Sequence, residues 1–168
     1  LTAIPDPFKK FNSYGEHNNE MLKEFLKKFK FNFNFQSSTE NYKKGTFNYS
    51  LMRVLEKYEE IMDIILPTLR DERRKTYSPF LPICPKTGKV LEIPLTSMDK
   101  KTVKVIFDNN GEKIETNILD GNCKLQWKVD WAMRWFTFDI DFEMYGKDLT
   151  ESAILSNKIC RALGKIPP

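Results

Sequence analysis

Residues 126–164 read QWKVDWAMRWFTFDIDFEMYGKDLTESAILSNKICRALG, and this stretch decides the fold class. Gln126 to Phe136 has the spacing of a helix, and Ile140 to Tyr145 fits a short strand. Leu149 to Leu163 predicts a second helix, capped by Thr150 or its neighbour and ended by Gly164. Helix, strand and helix in that order form a unit of an open α/β sheet.

The opening of the chain repeats the pattern. Asn18 is placed to cap a helix whose apolar positions Leu22, Phe25, Leu26 and Phe29 share one face. Phe31, Phe33 and Phe35 alternate with Asn32 and Asn34, which predicts a strand with one buried face. Ser37 to Glu40 reads as a turn or a short capped helix. A longer helix follows from about Phe47, with Leu51, Val54, Leu55, Tyr58, Ile61, Met62 and Ile65 inward and Pro67 closing it. From Tyr77 to Cys123 the character changes. Short apolar runs at 79–83, 89–94, 102–107 and 113–119 are punctuated by Lys86-Thr87-Gly88 and Asn109-Asn110-Gly111, the grammar of hairpins. The expected architecture is α/β, a doubly wound domain over 1–70 and 126–168 interrupted by a small antiparallel β insertion over 71–125.

Composition excludes several classes. Of the 168 residues 40% are hydrophobic and 30% charged, a globular balance and not a disordered one. The best apolar run, Ile61 to Leu66, falls far short of the roughly 18 residues a membrane span needs. No basic region followed by an apolar stretch opens the chain, and three scattered cysteines do not make a disulfide framework, so a reducing cytoplasm is expected. The chain begins LTAIPDPF without an initiator Met and stops at GKIPP just past a helix, which reads as an internal segment of a longer protein. The net charge of +4 fits either a polyanion partner or a solvated basic surface.

Chemistry gathers in two places. Trp127, Trp131 and Trp135 lie four residues apart on one ridge of a helix, with Asp130 and Arg134 as an i,i+4 ion pair beside them. Such a ridge is either a core stripe or an aromatic face which, next to a carboxylate, suits an alkyl-ammonium ligand. The second is Glu143 to Leu149, where a strand end runs into a helix. Gly146 admits a ligand close to the backbone, Lys147 can meet a phosphate, and Asp148 can cap the helix or hold a hydroxyl or an amine. An ordinary strand–turn–helix junction uses similar residues. No P-loop, G-x-G-x-x-G or G-x-S-x-G is present, and His17, the single histidine, has no triad context and reads as a loop or cap residue. Cys84-Pro85-Lys86-Thr87 and Asp120-Gly121-Asn122-Cys123 are half-knuckles that lack the second cysteine each needs, so no zinc is expected, and Cys160 reads as core.

Six stretches together carry a resemblance: IPDPF (4–8), SYGEHNN (13–19), STENYKKG (38–45), LPTLRDERRKTYSPFLPICPKTGKV (66–90), KLQWKVDWAMRW (124–135) and DFEMYGKDL (141–149). In this order, across nearly the whole chain, they resemble the catalytic domain of the bacterial-type class I lysyl-tRNA synthetases. The resemblance implies a split Rossmann-type (HUP-like) domain with a connective insertion, and ATP-dependent activation of L-lysine followed by transfer to the acceptor end of lysine tRNA. ATP would be a substrate accompanied by Mg2+, and the protein a cytoplasmic monomer. It further implies that Trp127 walls the lysine pocket, with Asp130, Trp131 and Arg134 shaping it, and that Gly146, Lys147 and Asp148 lie along the adenylate. Lys43, Lys44, Arg73 and Arg74 are candidates for gripping tRNA. Leu149 stands where many members have histidine. The HIGH-type and KMSKS-type motifs of the class do not occur in these residues, so the isolated chain is expected to be nearly inactive. The competing classes are a non-catalytic RNA-binding module and a synthetase-like amino-acid-binding module.

Overall fold

A computed structural model describes residues 1–109 and 111–168; Asn110, within one of the expected turns, lies outside the described residues. Seven α-helices and five strands follow one another among them. They are α1 (Tyr14–Lys28), α2 (Ser38–Lys43), α3 (Asn48–Glu56), α4 (Tyr58–Ile65), α5 (Asp71–Thr76), β1 (Phe80–Pro82), β2 (Leu95–Asp99), β3 (Lys104–Asn109), β4 (Glu112–Asn117), β5 (Cys123–Leu125), α6 (Trp127–Phe138) and α7 (Thr150–Leu163).

Local chemistry explains most of the boundaries. Ser13, not Asn18, caps α1: its hydroxyl accepts from Glu16 N at 3.1 Å while the Glu16 carboxylate reaches back to Asn12 N. Asn18 lies a turn inside and donates to Tyr14 O. Ser37 caps α2 in the same manner, bearing out the short capped helix there. The expected long helix is divided at Lys57, whose ψ of 17° breaks α3 from α4. A 3-10 turn at Leu66–Thr68 carries Pro67 at its start. At the far end Gly164, with φ of +108°, makes the left-handed cap that closes α7.

Two expected strands are absent. Phe31–Phe35 and Ile140–Tyr145 run without regular structure, because a strand is held by a ladder and neither has a ladder partner among the described residues. Phe31 is correspondingly exposed. The run at 89–94 makes only a single bridge, Ile83 to Val90, and the third strand of the sheet is the more polar Leu95–Asp99. Both sheets described are antiparallel, β1–β5 and β2–β3–β4. The β3–β4 hairpin matches the sequence reading, with Asn109 opposite Glu112.

One core binds these parts together. Leu51, Val54, Leu55, Ile61 and Ile65 of α3 and α4 meet Val129, Ala132, Met133 and Trp135 of α6 and Ile159, Cys160 and Leu163 of α7. Phe80, Val105, Ile118 and Leu125 from the β-rich middle enter the same cluster. Each fully buried side chain of this size contributes about 1.5–3 kcal/mol relative to exposure. The root of the β segment seats α6, since Gln126 N donates to Pro79 O at 2.8 Å where β1 and β5 pair. Ser156, fully buried on α7, donates to Lys128 O at 3.0 Å, and Ser50 and Thr137 share a hydrogen bond between α3 and α6.

A polar clasp holds the first twelve residues. The buried Asp6 carboxylate accepts from the backbone N–H of Phe8, Lys10 and Phe11 at 2.9–3.0 Å and lies 3.2 Å from His17 Nδ1. His17 therefore sits in α1, stacked on Phe8 and edge-on to Phe11, not in a loop. Burial opposes ionisation of Asp6, but the three N–H donors and the imidazole together outweigh it and lower its pKa to about 2 from 3.8. A depressed folded-state value stabilises the native chain above the unfolded value, and that stability is lost as pH falls from 3.8 toward about 2. Asp6→Asn is therefore expected to flatten the acid limb of stability in this window while weakening the fold at neutral pH. Urea titrations at a series of pH values measure it; an unchanged acid limb would contradict the assignment.

Candidate functional site

The exposed side of α6 carries the site. Helical spacing stacks Trp127 on Trp131 at 5.5 Å between ring centroids and sets Trp131 against Trp135 at 5.0 Å with the rings tilted by 47°. Exposure grades along the ridge: Trp135 is 2% exposed, Trp131 half-buried and Trp127 49% exposed. The core reading of the stripe holds fully for Trp135 and in part for Trp131, which packs against the edge of the core. Trp127 offers an open aromatic face supported from behind by a second ring.

Asp130 and Arg134 form the expected pair, with Nε 2.7 Å from Oδ2. Their further partners come from far along the chain. Asp130 Oδ1 accepts from the Tyr42 hydroxyl at 2.5 Å, the same hydroxyl accepts from Leu125 N at 3.2 Å, and Arg134 donates to Ser38 Oγ at 2.8 Å. Burial, reinforced by the neighbouring Asp130 charge, pushes the Tyr42 phenol well above its ordinary value and keeps it a proton donor. Both carboxylate oxygens of Asp130 are thus occupied from within. Tyr42 and Ser38 were not singled out from the sequence; both lie within the STENYKKG and neighbouring residues, but pairing across 88 positions leaves no local signal.

The 141–149 stretch folds back against the tryptophans. Asp139 adopts a left-handed conformation at the end of α6, and the chain reverses. Glu143 Oε2 then accepts both indole N–H groups, from Trp131 at 3.2 Å and from Trp135 at 2.7 Å. The Tyr145 ring stands edge-on to Trp131 at 5.6 Å. Gly146 precedes a 3-10 turn at Lys147–Leu149 that leads into α7, and Lys147 and Asp148 are exposed on it. The two sequence motifs are therefore in direct contact, through Glu143 and Tyr145. Glu143 lies within the stretch flagged from the sequence but was not among its candidate residues.

The basic candidates stand on two short helices. Lys43 and Lys44 end and follow α2, Lys44 lying 3.8 Å from Glu40, and Lys43 lines a recess of about 460 Å³ with Ser13, Glu16, Glu20 and Ser37. On α5, Arg73 pairs with Glu92, while Arg74 donates to the carbonyls of Leu66 and Leu69 and meets Asp71. A smaller recess of about 180 Å³ opens beside Trp127, lined by Ile65, Leu69, Tyr77, Gln126, Arg73 and Lys128. Cys84, Cys123 and Cys160 are free and buried, and no cluster of three or more metal-ligating side chains occurs among the described residues.

Comparison with known proteins places the chain in a family. The family model described as tRNA synthetases class I (K) matches residues 1–168, and the chain belongs to that family. Its fold class is accordingly the α/β, Rossmann-type one of class I synthetases. Among curated proteins, the lysine–tRNA ligase of Rickettsia bellii (strain RML369-C) is 54% identical over the whole of this chain. Those of Rickettsia felis and Rickettsia prowazekii are each 53% identical over the same span. The chain spans about a third, 32%, of the length of these relatives.

Removing the hydroxyl at the centre of the network should loosen α2 from α6. Tyr42→Phe leaves Asp130 and Leu125 N each short of a partner, and a loss of about 1–3 kcal/mol in unfolding free energy is expected. Denaturant midpoints of the two chains check this; equal midpoints would show the network to be dispensable.

Proposed function

We propose that these residues form part of the catalytic domain of a protein that activates L-lysine with ATP and transfers it to the acceptor end of lysine tRNA. The carrying observation is the contact between the WKVDWAMRW and EMYGKD stretches: an open indole face, a neighbouring carboxylate and the irregular segment leading to Gly146 meet at one edge of α6. The family match and the lysine–tRNA ligase relatives support the same reading.

In this reading Trp127 and Trp131 cover the methylenes of the lysine side chain, and Asp130 and Arg134 hold the shelf rigid by fastening α6 to α2. Lys147 and Asp148 beside Gly146 face the adenylate, with ATP arriving as its Mg2+ complex. Residues 71–125 act as the connective insertion whose root seats α6, and residues 1–70 and 126–168 as the two parts of the catalytic domain. In this reading the protein is a cytoplasmic monomer, as the resemblance to the class I lysyl-tRNA synthetases implies. A purely RNA-binding role is less well supported, because Arg73, Arg74 and Lys44 are engaged by Glu92, Asp71, Glu40 and backbone carbonyls.

Lysine-dependent ATP–pyrophosphate exchange by the full-length protein is the direct test: exchange with lysine and not with other amino acids is expected, and its absence with and without tRNA would sink the proposal. Trp127→Ala should raise the KM for lysine about tenfold through loss of the aromatic cover. Trp135→Ala should instead cost about 3–5 kcal/mol of stability, as truncation of a buried tryptophan does. Equal effects on KM would return the whole ridge to the core.

A further inference from the structure

We infer that residues 31–36 and the open face of α1 form one docking surface, and that its occupant is an extended segment of the same polypeptide lying outside these 168 residues. That segment pairs as a strand with 31–36 and sets apolar side chains against α1. Two independent observations meet at this place.

The first is the helix. Gly15 is the one residue of α1 that is buried, and no side chain of α1 belongs to the core described above. Met21, Leu22, Phe25 and Phe29 are nonetheless large and apolar, share one face by their spacing, and are 48–59% exposed. Phe31, just past the end of the helix, is open to the same degree. An amphipathic helix draws most of its stability from what its apolar face packs against, and a contiguous open patch of this kind marks an interface.

The second is the backbone. Phe31 N still donates to Leu26 O at the end of α1, but among the described residues no backbone group of 32–36 makes a hydrogen bond within the protein. Burial along the segment alternates all the same. Phe33 and Phe35 are half-buried while Asn32, Asn34 and Gln36 are exposed, which is the period of a strand. Lys23 Nζ lies over the Phe35 ring at 4.7 Å and ties the segment to α1. A row of open N–H and C=O groups with strand periodicity is an edge that accepts another strand.

Both openings call for the same occupant. A lipid surface would take the apolar face but offers no ladder to the backbone. An extended protein segment supplies main-chain partners for 32–36 and side chains for α1 at once. The lysine–tRNA ligase relatives match this chain over 32% of their length, which leaves about two thirds of each outside it. A strand from that remainder docks at the high effective concentration that tethering gives. Residue 36 leads directly into Ser37, which caps α2, and Ser38, which accepts from Arg134, so pairing here steadies the junction that orients α6.

Hydrogen exchange followed by mass spectrometry on the unaltered full-length protein tests the strand. Amides of 32–36 are expected to exchange about a hundredfold or more slower than an unpaired chain of the same sequence, at every protein concentration. Exchange at the unpaired rate overturns the inference. So does protection that disappears on dilution, which would assign the surface to a second copy. Protection that arises only when tRNA or anionic vesicles are added would assign it to an outside partner and overturn the inference equally. Maleimide labelling of full-length variants tests the helix: Phe25→Cys is expected to react about tenfold or more slower than Lys27→Cys, whose exposed position lies on the other side of α1. Equal rates would show that nothing covers the apolar face. The exchange measurement needs no substitution and decides the strand even where Phe25→Cys fails to fold.

Discussion

One phenolic oxygen joins three separate parts of the chain. The Tyr42 hydroxyl, on α2, donates to Asp130 on α6 and accepts from the backbone of Leu125, the last residue of β5. Buried polar groups are costly unless every one finds a partner, so this arrangement is stable only when all three segments are in place together. Around it Arg134 adds the tie to Ser38, and Phe47 packs edge-on to the Tyr42 ring with Phe138 edge-on to Phe47 in turn. The register of α6, and hence the direction in which its tryptophans face, depends on this junction.

From that junction α6 divides its surface between two tasks. Val129, Ala132, Met133 and Phe136 go into the core with α3, α4 and α7, while the tryptophan ridge emerges gradually from it. Trp135 is anchored in the core, Trp131 is half-covered, and Trp127 is open. An aromatic platform fixed at one end and open at the other combines rigidity with access, which a fully buried stripe or a freely exposed ring does not.

The electrostatics of the surface follow the same economy. Although the chain carries a net charge of +4, most basic groups near the ridge are already answered: Arg134 by Asp130, Arg73 by Glu92, Arg74 by Asp71 and carbonyls. Net charge therefore says little about partners in this protein. What distinguishes Glu143 is that it is held by dipoles and not by an opposite charge.

The sequence by itself determined what rests on short spacing. The courses of α6 and α7, the tryptophan ridge, the Asp130–Arg134 pair, the Gly164 cap and the β3–β4 hairpin arise from contacts within a few residues and were legible, although α6 runs on to Phe138 and Leu149 begins α7 without the expected side-chain cap. Tertiary structure alone decided the rest. Alternating phenylalanines at 31–35 carry strand periodicity, but no sequence pattern supplies the neighbouring strand, and without a ladder the segment stays irregular. The same holds for 140–145, which is secured by two indole N–H groups and a ring edge in place of a ladder. Which tryptophan is core and which is open, and what else the Asp130–Arg134 pair is fastened to, depend on side chains brought from as far as 96 residues away. Local periodicity names the face of an element; burial and charge pairing are properties of what the folded chain sets against that face.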